Sequence, residues 1–281
     1  MAIALALTAA VCWGLSDFLA GLASRRVSVP IVLLLVEGGG LAVIALIALA
    51  AREPFFTDAT DALSAVGGGL AGVLALGCFY RALSIGTMSV VAPISAAGVA
   101  LPVIVGVATG DRLSAIAAAG LAAIVVGVVL ASREEHDDAA SAAAGRQAIV
   151  LALLAALGFG GLFVLTDAPA DTSVLWTIVL ARSAPLPFVA AAVLFLGAPG
   201  VRPSPRLALG IAAVGLIDLT ATTLIAIAET KGELSIVSVL GGMYPVATVL
   251  LAASFLHERL ARAQMTGVVL ALGGIAAVAA G

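Results

Sequence analysis

The chain has 281 residues, 63% of them hydrophobic and 10% charged, with a formal net charge of −3 and a mean hydropathy of +1.24. A soluble domain is about half apolar and a quarter charged, so this composition excludes an ordinary water-soluble fold, and lipid as the surrounding solvent accounts for it. No basic patch is large enough for nucleic acid, and Cys12 and Cys78 sit in apolar runs without a CxxC pattern or a disulfide framework.

A membrane span takes about 20 mostly apolar residues. Charges and prolines then divide the chain into ten: 2–23, 30–50, 62–84, 86–108, 113–132, 147–167, 174–196, 207–228, 233–254 and 263–280. The runs are continuous and too long for the alternating strands of a membrane barrel, so the expected fold is an all-α polytopic membrane protein. The first run lacks the basic start of a signal peptide and carries Asp17 late in its length, so it reads as a retained span. Asp17 is close enough to the end of that span to pair with Arg25 or Arg26; facing an internal cavity is the other reading.

The second span carries Glu37, seven residues past Pro30 and so about 10 Å into the hydrocarbon. Glycine runs at Gly38–Gly40 and Gly67–Gly69, and the pair Gly241–Gly242, permit close helix approach. The third span ends near Tyr80. Span seven carries Arg182, and span eight carries Asp218 among Thr220, Thr222 and Thr223, whose hydroxyls can bond back to the helix. Ionisable residues at such depth are costly and mark functional sites. Trp13, Tyr80 and Tyr244 are candidate aromatic walls, and Pro93, Pro102, Pro185, Pro187 and Pro245 are candidate kinks. Asp111 and Glu258 read as acids at the start of the last span of each half.

The chain repeats itself. Gly86, Ser89 and Val91 lie over Gly232, Ser235 and Val237 at an offset of 146, and Trp13–Gly14 lies over Phe159–Gly160 at the same offset. Asp111-Arg112-Leu113, Gly120 and Gly127 lie over Glu258-Arg259-Leu260, Gly267 and Gly274 at 147. The domain division that follows is 1–132, a polar acidic linker at 133–146, and 147–281. Five spans per half is odd, so the second half enters the membrane inverted, a plan suited to alternating access around a midplane site. An offset of 145 puts Glu37 over Arg182, and the inversion lets them converge as an ion pair or as two walls of a substrate cavity.

With its "WGLSDFLAGLASRR" first helix, its two five-span halves, and the acid followed nine residues later by glycine at the end of each half, the chain resembles the EamA-type transporters of the drug/metabolite transporter superfamily. The second half departs from the pattern at Phe159, in place of tryptophan, and at His257, in place of glycine before the acid. The resemblance implies a ten-helix carrier of the inner, cytoplasmic membrane with both ends cytoplasmic. It implies secondary transport, often export or exchange of amino acids or other metabolites, and a central cavity faced by the helices of Trp13, Glu37, Tyr80, Arg182 and Asp218. The loop charges point the other way. Nine basic residues fall at the end of or after the odd-numbered spans, Arg81 being the one inside a span end, and three after spans two, four and eight, which puts both ends outside by the positive-inside rule.

The site residues expected are therefore Trp13, Asp17, Glu37, Tyr80, Arg182, Asp218 and Tyr244, lining a cavity for a small polar metabolite. The acid suits a coupling proton or other ion. No metal, cofactor or nucleotide-binding motif is present, no nucleophile-and-base set supports an enzyme, and a homodimer stays open. The alternative is a non-transporting membrane scaffold or sensor subunit, in which the buried charges pair with no cavity between them.

Overall fold

The computed structural model describes residues 1–109, 114–131, 139–195, 202–229, 240–258 and 260–280. The expectations for Asp111 and for the first part of the linker, 133–138, lie outside the described residues. The described residues are nearly all helical, joined by short connections: α1 Ala2–Ser24, α2 Val29–Ala51, α3 Ala59–Ile85, α4 Met88–Ala96 running through a tight turn at Ala97–Val99 into α5 Ala100–Thr109, α6 Ala115–Ala131, α7 Ala139–Thr172, α8 Val174–Ser183, α9 Leu186–Phe195, α10 Pro205–Glu229, α11 Tyr244–Leu251 with a wide turn at Ala252–Leu256, and α12 Arg262–Ala280. Seven stretches are long and apolar enough to cross a membrane, and three shorter apolar helices complete the ten spans, among the described residues. Large apolar side chains such as Leu46, Leu74, Leu194, Phe195, Leu209 and Leu250 stand exposed along these helices, as the lipid-facing side of a bundle requires.

Helix ends follow ordinary capping chemistry. Asp58 accepts the Thr60 N–H at 2.8 Å and opens α3, and that bond holds its carboxyl below the usual carboxylate range. The sixth span is longer than expected, because α7 begins at Ala139, inside the stretch read as linker. Alanine is the strongest helix former, and the run Ala142–Ala144 extends the helix where polarity alone suggested a connection. The seventh span is broken at Ala184–Pro185, dividing it into α8 and α9, because proline lacks the N–H that would continue the ladder.

The two halves interdigitate. Helix α1 packs on α10 and α11, and its counterpart α7 packs on α3 and α4; α2 packs on α10 and α8, and α3 packs on α8. Each of these contacts therefore has its mirror image. Glycine makes the mirror visible: a side chain at Gly14 would stand 2.6 Å from the Tyr244 carbonyl, and one at Gly160 would stand 2.6 Å from the Gly98 carbonyl. Gly98 and Tyr244 are themselves 146 residues apart, at matching breaks in spans four and nine. Gly215 packs on the Val36 backbone and Gly69 on that of Ala181, the same pair seen from the other half.

The last span of each half gives the direction. Gly120, early in α6, faces Gly274, late in α12, while Gly127 faces Gly267. Equivalent helices thus run antiparallel, which is what an inverted repeat demands. The glycines pack as lipid-embedded helices do, where close backbone approach supplies the attraction.

Gly38 has open space around its Cα, whereas Gly215 meets the Val36 carbonyl. Gly215→Ala is expected to destabilise the bundle by about 1–3 kcal/mol through overpacking. Gly38→Ala is expected to be neutral or to stabilise by up to about 1 kcal/mol through helix propensity. Thermal unfolding of the two variants in one detergent measures both.

Candidate substrate site

Glu37 is the ninth residue of α2 and Arg182 the ninth of α8. The two helices enter from opposite faces, so both residues stand about 13 Å deep, near the middle of a hydrocarbon core about 30 Å thick. Arg182 Nη1 donates to Glu37 Oε2 at 3.3 Å, and Arg182 Nη2 pairs with Asp218 Oδ2. One guanidinium therefore joins a carboxylate of the first half to one of the second. Glu37 is 6% exposed and Arg182 8%, while the Asp218 side chain is 23% exposed, so Asp218 forms the more open wall of the triad. Replacing such a buried pair with apolar groups is often tolerated, but removing one partner strands a charge.

The backbone is shaped around this pair. A Cβ at Gly40 would stand 2.8 Å from Arg182 Nη1, so the glycine leaves the space that the guanidinium occupies. Gly39 would meet the Ala212 carbonyl at 2.6 Å and brings α2 against α10. Helix α8 is fixed at its start: Ser173 accepts the Trp176 N–H at 3.3 Å, Glu53 accepts the Leu175 N–H at 3.3 Å, and the Trp176 indole donates to the Glu53 carbonyl at 2.9 Å. Phe55 meets the Trp176 ring edge-on at 5.1 Å. This anchor sets the register that presents Arg182. Sequence reasoning overlooked Glu53, Ser173 and Trp176; the signal was Ser173, an N-cap residue directly ahead of an apolar run.

The other candidates gather on the same centre. Asp17, in α1, is 8% exposed and within electrostatic reach of Asp218. It does not join Arg25, which stands 3.9 Å from Glu258 instead. Tyr80 is 2% exposed and within reach of Asp17, Asp218, Glu37 and Arg182. Trp13 meets Tyr244 edge-on, with ring centroids 6.3 Å apart, and Tyr244 is within reach of Asp17. Polar threads tie α1 to its neighbours here: Ser16 donates to the Val214 carbonyl at 3.5 Å and Thr248 to the Gly14 carbonyl at 3.2 Å. The threonines around Asp218 bond back to Leu216, Asp218 and Leu219 carbonyls, as their spacing suggests.

Glu258 differs from expectation. Among the described residues its carboxylate serves another span: it accepts the backbone N–H groups of Met88 at 3.0 Å and Ser89 at 2.9 Å, at the start of α4 in the other half. The unsatisfied donors of a helix N-terminus attract a carboxylate from wherever the fold supplies one. The inverted packing brings Glu258 there.

An inverted pair of five-span bundles closed around buried charge defines a polytopic membrane protein of the transporter class. The chain belongs to the EamA-like transporter family, which matches residues 1–133 and again residues 146–280. No curated protein matches it. A solved structure, described only as the crystal structure of a protein, shares the fold with a TM-score of 0.64 at 18% identity, covering 99% of this chain and 96% of the other.

Arg182→Gln is expected to cost about 3–5 kcal/mol of stability, because two buried carboxylates lose their cation. Adding Glu37→Gln to that variant is expected to restore part of the loss. Additive losses in unfolding measurements on the two single variants and the double would show that the residues act independently.

Proposed function

We propose that the protein is a secondary transporter, an exporter or exchanger, that moves a small polar metabolite such as an amino acid or related compound across the cytoplasmic membrane. The observation that carries this reading is the Arg182 pair with Glu37 and Asp218, held at mid-depth across the seam between two inverted halves. The two repeats, residues 1–132 and 147–281, are the units that move against each other. A polar centre on the seam of two such units is where alternating access puts its substrate. Trp13, Asp17, Tyr80 and Tyr244 complete the wall around the triad.

A proton or another small cation is the coupling partner that fits a site rich in carboxylates. The closed pairing of Arg182 also suits a non-transporting scaffold. Such a role gives no reason for Asp17, a further carboxylate buried beside the triad.

Glu37→Gln is expected to lower flux about ten- to a hundredfold, the loss that follows when a charged hydrogen bond is removed. Insertion and monodispersity are expected to persist. Efflux from proteoliposomes loaded with a metabolite extract, compared between wild type and variant, measures this. Equal flux from the two would remove Glu37 from the mechanism.

A further inference from the structure

Resting on the reading of this chain as a carrier, we propose that its site takes an organic cation, a compound with an ammonium group and no carboxylate, and that Asp17 binds the ammonium. Two carboxylates, those of Glu37 and Asp218, pair with the single guanidinium of Arg182, and a third, that of Asp17, lies within electrostatic reach of Asp218. Arg182 spends both of its terminal nitrogens on Glu37 and Asp218. No second cation stands in the cluster, among the described residues, to hold the acid end of a substrate. An anion or a zwitterion therefore meets an occupied guanidinium and a surplus of negative charge.

Asp17 is the carboxylate left over. It is more than nine-tenths buried and has no hydrogen-bond or ion-pair partner among the described residues. It is within electrostatic reach of Asp218 on α10, Tyr244 on α11 and Tyr80 on α3, and Tyr80 is in turn within reach of Glu37 on α2 and Arg182 on α8. A buried carboxylate in such company is costly until a positive charge arrives beside it. Trp13 lies one helical turn before Asp17, on the same face of α1. Its ring stands edge-on to Tyr244, and aromatic faces attract ammonium groups. A free carboxylate one helical turn from the Trp13–Tyr244 ring pair suits an ammonium group, and a bound ammonium would also relieve the repulsion between Asp17 and Asp218. A proton carries the same charge to the same oxygen atoms, so the test separates the two.

Proteoliposomes of wild type, Asp17→Asn and Asp17→Glu are adsorbed on a solid-supported membrane. They are challenged at fixed pH with steps of agmatine, methylammonium and tetraethylammonium, then with alanine and glutamate, and finally with a pH step alone. The expected result is a current from at least one of the three cations, abolished in Asp17→Asn and retained in Asp17→Glu with an apparent affinity lowered about tenfold, and no current from glutamate. Retention in Asp17→Glu shows that loss in Asp17→Asn is not misfolding. A response to the pH step with none to any cation, or a cation response that Asp17→Asn leaves intact, would overturn the proposal. Sustained flux of alanine or glutamate without a cation response would overturn the ammonium site and leave the carrier reading standing. A transient, Asp17-dependent cation current with no sustained component would keep the site and defeat the carrier reading.

Discussion

A guanidinium buried in the middle of a membrane protein cannot stand alone, and the organisation of this molecule follows from how Arg182 is satisfied. Its partners come from α2 and α10, so the triad closes only if the two halves interdigitate. Glycine is required at position 40 because the guanidinium lies against it, and at 39 and 215 because α2 and α10 must approach closely enough to deliver both carboxylates. The anchor of Glu53, Ser173 and Trp176 then sets the rotation of α8 that points Arg182 into the seam. An ion pair so assembled need not stabilise the fold relative to apolar packing. Its consequence is specificity: the halves meet in one register, around charge.

The inverted duplication turns that register into a mechanism. Equivalent helices run antiparallel, the main contacts between the halves are mirrored, and spans four and nine break at matching levels beside Gly160 and Gly14. Mirror-related packings of similar energy are what a carrier needs in order to open first to one face and then to the other. Glu258 illustrates how the halves are cross-linked away from the centre, since it ties the connection before α12 to the start of α4 and stands beside Arg25.

Much of this was legible in the sequence. The spans could be counted because lipid demands long apolar runs, and the inversion followed from an odd count and an offset that matched Gly120 and Gly127 to Gly267 and Gly274. The pairing of Glu37 with Arg182 was readable because an offset of 145 superposed them. Other features were not. That Asp218 shares Arg182 depends on the rotation of α10, which the residues flanking Asp218 do not encode. The destination of Glu258 depends on long-range packing, and no local spacing reports a carboxylate that caps a helix of the other half. The helical start of α7 was hidden because polarity suggested a linker where alanine content favoured helix.

The inversion on which all of this stands is tested most directly by topology. In a chain lacking Cys12 and Cys78, single cysteines are placed at each end and at position 135 and exposed to a membrane-impermeant thiol reagent from one side. The account predicts that both ends react from one face and the 135 site only from the opposite face. Labelling of all three from the same face would contradict it.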